Sequence, residues 1–107
     1  MISPWVTFKQ TARAFQANEG KDILDARALD TWSKQFLGSA PSDVYNHPLS
    51  AEPDWWRDIP VKKISITAGG NELFVDDIIE LVNKLRVSLH YAILKLAKGT
   101  LLIYAGA

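Results

Sequence analysis

The sequence contains no cysteine, so disulfides, thiolate metal centres and a cysteine nucleophile are all excluded. It has only two histidines, His47 and His90, far apart and without a third ligand at suitable spacing, which leaves no zinc pattern. Charge of one sign is also missing. Twelve basic residues balance twelve acidic ones and no basic cluster stands out, which argues against nucleic acid or an anionic membrane as partner. No apolar run approaches the roughly 18 residues of a membrane span. The opening MISPWVTFKQ has no basic region leading into a long apolar one, so no signal peptide is legible in this chain. A soluble protein of undetermined compartment is expected.

The 107 residues suffice for one domain, and 48% apolar with 22% charged residues is a globular composition. Ile2 to Val6, with Pro4 inside it, suggests a strand end leaving a sheet. Phe8, Ala12 and Phe15 sit at helical spacing and predict a short helix within residues 8–17. Asp22 or Asp25 can cap a second helix, along which Leu24, Ala28, Leu29, Trp32, Phe36 and Leu37 recur at three- and four-residue steps. Gly38 is placed to end it, and Asp30 with Lys34 forms a favourable i,i+4 pair. Ser39 to Asp54, with Pro41, Pro48 and Pro53, is a long connection.

Val61 to Ala68 is the clearest strand, with Ile64, Ile66 and Ala68 alternating with Ser65 and Thr67. Gly69 and Gly70 end it. Asp76 and Asp77 open the next helix as solvated acids at its positive end; its buried stripe is Ile78, Leu81, Val82 and Leu85, and Glu80 pairs with Lys84 outside. Beyond Val87 the pattern blurs. His90 to Lys98 prolongs that helix on one reading, and Thr100 to Tyr104 forms a strand.

A strand stopping at small residues, then an acid, then a helix is an arrangement that builds sites, because ligands and catalytic groups gather at the carboxyl ends of strands in open α/β sheets. A carboxylate held there can accept a hydrogen bond from a histidine, fix its tautomer and stabilise the imidazolium during proton transfer. Glu72 occupies that place.

The runs ISPWV, DTWSKQFLG, YNHPLSAEPDWWRDIPVKKISITAGGNELFVDDI and ELVNKL resemble the C-terminal portion of an α/β-hydrolase of the hormone-sensitive-lipase-like group. The resemblance is strongest to fungal esterase and deacetylase members of the α/β-hydrolase fold-3 family, and it covers residues 2–87. Residues 88–107 are an atypical tail. The resemblance implies one partial α/β domain over residues 1–107, with two or three parallel strands and flanking helices, derived from a carboxylic-ester hydrolase. Its substrate would be a small ester or acetylated compound, with no metal or cofactor. Carried over by position, the triad acid falls on Glu72, with Asn71 as the register alternative, since many relatives carry Asp there. Trp55 and Trp56 would either line the substrate pocket or lock the preceding loop onto the core. The exposed edges of a cut sheet would favour self-association. The alternative is a non-catalytic interaction module that reuses the half-fold.

The family's nucleophile sits in a G-x-S-x-G elbow. Ser3, Ser33, Ser39, Ser42, Ser50, Ser65 and Ser88 all lack that frame, and His90 comes too early for the triad histidine. A truncated or mis-spliced chain would account for both ends. The purified chain is therefore expected to leave short p-nitrophenyl esters unhydrolysed. Serine-dependent turnover would overturn that expectation, and Glu72→Gln should then reduce the turnover strongly.

Overall fold

In a computed structural model, residues 1–60, 63–88, 92–97 and 100–106 are described, with residue 63 and everything beyond 88 as backbone only. The elements follow in the order α1 (Ala14–Ala17), α2 (Ala26–Leu37), β1 (Lys63–Gly69), α3 (Val75–Ser88), β2 (Ala92–Ala97) and β3 (Thr100–Gly106). Two short 3-10 turns, Pro48–Ser50 and Pro53–Trp56, lie in the long connection before β1. Proline opens each, since it needs no N–H at the first helical position.

The expected helix within residues 8–17 shrinks to the single turn of α1. Helix α2 begins at Asp25, whose carboxylate accepts the Ala28 amide at 2.8 Å. Asp22 has a different task, described below. Gly38 ends α2 at φ 55°, a conformation that glycine takes without strain. The Asp30–Lys34 pair forms at 2.8 Å. Leu29 and Ser33 are buried from this helix, while Trp32 and Phe36 remain exposed. Its apolar stripe is thus wider than the face that the rest of the chain covers.

Strand β1 is an outer strand of the three-stranded sheet, whose centre is β3. It pairs antiparallel with β3, from Lys63 opposite Gly106 to Gly69 opposite Thr100, and β3 pairs antiparallel with β2. On its other edge β1 meets the ISPWV segment in a parallel bridge, Ile2 opposite Thr67. Residues 92–97 are strand rather than a continuation of α3, and the strand expected from Thr100 is present. His90 and the first two residues of the expected strand at 61–68 lie outside the described residues. The resemblance implied two or three parallel strands. Among the described residues, the bridge at Ile2 is the one parallel pairing, and both ladders with β3 are antiparallel.

The core forms where α3 lies on β1. Ile78, Leu81, Val82 and Leu85 meet Ile66 and Ala68, and Val6, Phe15, Leu29, Leu49, Leu73 and Phe74 close the cluster. Each fully buried side chain of this size contributes about 1.5–3 kcal/mol. The Lys84 ammonium crosses to the Leu49 and Ala51 carbonyls, and the Ser88 hydroxyl donates to the Pro53 carbonyl. These bonds tie the long connection to the outer half of α3. The expected Glu80–Lys84 pair does not form, because the carbonyls take the ammonium.

Leu81 is 1% exposed in the middle of this contact. Leu81→Ala is expected to cost about 2–5 kcal/mol of unfolding free energy, since the cavity it leaves is walled on all sides. Urea denaturation followed by circular dichroism checks this.

Candidate functional site

Residues 69–74 form the turn that carries β1 into α3. The Glu72 amide donates to the Gly69 carbonyl at 3.2 Å, and the Val75 amide to the Glu72 carbonyl at 3.4 Å. Neither glycine uses a positive φ. Gly69 is needed for closeness instead: a Cβ there would stand 3.1 Å from Glu72 Oε1 and 3.3 Å from its Cγ.

Two side chains from the segment between α1 and α2 brace this turn. The Asn18 amide group donates to the carbonyls of Glu72 at 2.8 Å and Gly70 at 3.3 Å. Asp22 accepts the Leu73 amide at 2.8 Å and the Leu24 amide at 3.0 Å, so it fastens the turn instead of capping α2. One residue into α3, Asp76 accepts the Ala14 amide at 2.7 Å. Backbone groups that neither helix nor sheet could satisfy are thereby paired.

The Glu72 carboxylate itself is half-buried. The Ser3 hydroxyl donates to Oε1 at 2.6 Å. Oε2 is sealed from solvent and has no hydrogen-bond partner among the described residues. A buried carboxylate oxygen without a donor costs roughly 1–3 kcal/mol or more, so such an atom calls for an explanation. Ser3 sits at φ 44°, where an L-residue with a side chain is strained by about 1–2 kcal/mol. Strain of this kind clusters where a side chain must be aimed. Beside the turn lies an open cleft of about 470 Å³ lined by Lys21, Asp22, Ile23, Gly69, Gly70, Asn71 and Glu72. Asn71 is exposed on its rim and makes no side-chain hydrogen bond among the described residues.

Trp55 and Trp56 are not part of this cleft. They lie in the turn that Ser88 holds at the last residue of α3, whereas Glu72 precedes its first turn. A 14-residue helix separates the two ends by about 20 Å. The indoles pack edge to face at 4.7 Å, and Tyr45 meets Trp55 in the same way at 5.8 Å. Trp56 packs on the core, as a residue locking the loop would. Trp5 of the ISPWV segment stacks on Phe74 at 5.7 Å, which holds that segment against the turn.

The other titratable groups fall elsewhere. His47 is buried, with its ring edge on Phe8 at 4.7 Å. Its Nδ1 lies 2.7 Å from Asn46 Oδ1 and 3.0 Å from Ser42 Oγ. Asn46 Oδ1 already accepts the Asp43 amide, so His47 carries its proton on Nδ1. Asp77 is not the solvated helix-start acid expected from its position. It is 7% exposed, and its Oδ2 is sealed without a partner among the described residues. Burial first, then the charges of Glu80 and Asp76, raise its pKa to about 6. Among the described residues no three His, Asp or Glu side chains form a group able to hold a metal, and no helix is long and apolar enough to cross a membrane.

Comparison with protein families, with curated proteins and with solved structures finds no match for this chain.

No periodicity signals Ser3, Asn18 and Asp22 as parts of the site. For Asn18 the residue type is the only clue, and for Asp22 the sequence points to capping α2 instead.

Asp77 sets a pH dependence. Its folded-state pKa of about 6 lies above the ordinary 3.8, so the folded chain holds the proton more tightly between those values. The stability linked to it is complete below pH 3.8 and is lost as the pH rises through 6. Asp77→Asn is therefore expected to stabilise the protein at pH 7, with the gain vanishing below pH 3.8. Thermal melts of both proteins across that range test it.

Proposed function

We propose that this chain carries the acid corner of a serine-dependent carboxylic-ester hydrolase of the α/β-hydrolase type, with Glu72 as the triad acid. The observation that carries the reading is the Glu72 carboxylate at the C-terminal end of β1, with one oxygen held by Ser3 and the other buried and, among the described residues, without a donor. On this reading Oε2 accepts the N–H of an imidazole, fixes its tautomer and stabilises the imidazolium as it takes the proton of a serine hydroxyl. The serine attacks the carbonyl carbon of a small ester or acetylated substrate, and the alcohol leaves with the proton returned by the imidazole. No step needs a metal or cofactor.

Further support comes from the order and direction of the segments. ISPWV meets β1 in a parallel bridge at Ile2, the direction that neighbouring strands of such a sheet share, and the acid follows β1 directly. The antiparallel β2 and β3 belong to the tail at 88–107, where the family-like pattern has already ended. Glu72 is favoured over Asn71 because an asparagine side chain cannot act as a carboxylate, and because the bracing bonds converge on the Glu72 peptide. Alone, the chain has no nucleophile, and removing that partner removes the chemistry as a unit.

The alternative is a non-catalytic interaction module. The exposed Trp32 and Phe36 on α2 favour a surface that meets another chain, including a second copy of this one.

Sequencing the transcript end to end separates the two. A G-x-S-x-G element in frame upstream, with a strand and a histidine loop downstream, is expected for the hydrolase. Intact, expressed transcripts without either would sink that reading and leave the module.

A further inference from the structure

A carboxylate on a flexible side chain has two equivalent oxygens, and the terminal torsion of glutamate is broad and roughly two-fold. Something must therefore decide which oxygen of Glu72 faces a donor. Gly69 leaves room for the group without choosing between its oxygens. Asn18 and Asp22 bind only the backbone of the turn. Among the described residues, the remaining contact is the Ser3 hydroxyl.

Ser3 is held from both sides. Its amide donates to the Thr67 carbonyl at 2.7 Å, on the edge of β1, and its hydroxyl reaches Oε1 at 2.6 Å. The φ of 44° points the two groups of one residue at two partners, the strand and the carboxylate. No other non-glycine residue among those described has a positive φ. Oε1 is thus occupied, and Oε2 is left sealed and, among the described residues, without a donor.

We propose that Ser3 is a positioning residue: by engaging Oε1 it presents Oε2 of Glu72 as the acceptor for an imidazole N–H. The proposal rests on the reading of Glu72 as a triad acid and adds the residue that orients it. Ser3 touches neither substrate nor nucleophile; it acts through Glu72.

The test uses the 107-residue chain, labelled with nitrogen-15, and imidazole as the probe. Oε2 is sealed at rest, so imidazole reaches it through local opening of the turn, and at high concentration it is expected to shift the amide signals of residues 69–73 saturably. Glu72→Gln should abolish that response. Ser3→Gly suits the positive φ, relieves the strain and removes the hydroxyl, so it should keep or raise the melting temperature. Its imidazole affinity should nevertheless fall about tenfold, the equivalent of one charge-assisted hydrogen bond. A merely structural Ser3 would move stability and affinity together. Should Ser3→Gly fail to fold, Ser3→Ala removes the same hydroxyl and is expected to lose the same affinity.

Wild-type affinity in the folded Ser3 variants overturns the role of Ser3 and leaves Glu72 as acceptor. Absence of any saturable response in the wild-type chain overturns Oε2 as an imidazole acceptor, and this proposal with it. The hydrolase reading is judged separately, by the transcript.

Discussion

The burial of the α3 stripe against β1 is the contact on which the other parts depend. Ile78, Leu81, Val82 and Leu85 cover Ile66 and Ala68, and this fixes the angle at which the chain turns from strand into helix. The turn at 69–74 has no freedom left once both flanks are set. Leu73 and Phe74 point into the same core, so Glu72 is forced outward to the rim beside Ser3. The geometry of the acid therefore follows from hydrophobic packing around it, and the polar contacts refine a direction already chosen.

Those polar contacts have a common origin. Ser3, Asn18 and Asp22 all come from the first quarter of the chain, and each fastens a different atom of the turn. Asn18 takes two carbonyls, Asp22 one amide and Ser3 one carboxylate oxygen. The early segment lacks long regular structure, since α1 is a single turn. Its order comes from the bonds it makes to the turn, together with Trp5 stacked on Phe74. Each half is thereby a scaffold for the other.

Much of this frame was legible in the sequence because it obeys local rules. The 3.6-residue stripe of α3, the alternation along β1, the Asp25 cap and the Gly38 stop all express short-range physics and appear where expected. What escaped was decided by distant partners. Lys84 turned from Glu80 to two loop carbonyls, because leaving acceptors of the buried Leu49 and Ala51 unpaired costs more than an exposed ion pair gains. Asp77 looked like a solvated acid, yet the packing of the loop over α3 buried it. Trp32 and Phe36 match the helical period but lie outside the face that β1 and the loop leave to cover. Glu72 was visible as an acid after a strand, whereas nothing in the residues around Ser3 announced the bond between them.

That bond spans 69 positions, the Ala14–Asp76 bond 62, the Asn18 bond to Glu72 54 and the Asp22 bond 51. Long loops must close before any of them can form, and their closure entropy is met only when the core is nearly complete. Packing of α3 on β1 sets the direction of the side chain, and the Ser3 bond that fixes the carboxylate itself forms only when residues 69 positions apart have met. The final orientation of the Glu72 carboxylate thus depends on contacts between distant parts of the described chain. It reports on the integrity of the whole chain more faithfully than helix content does.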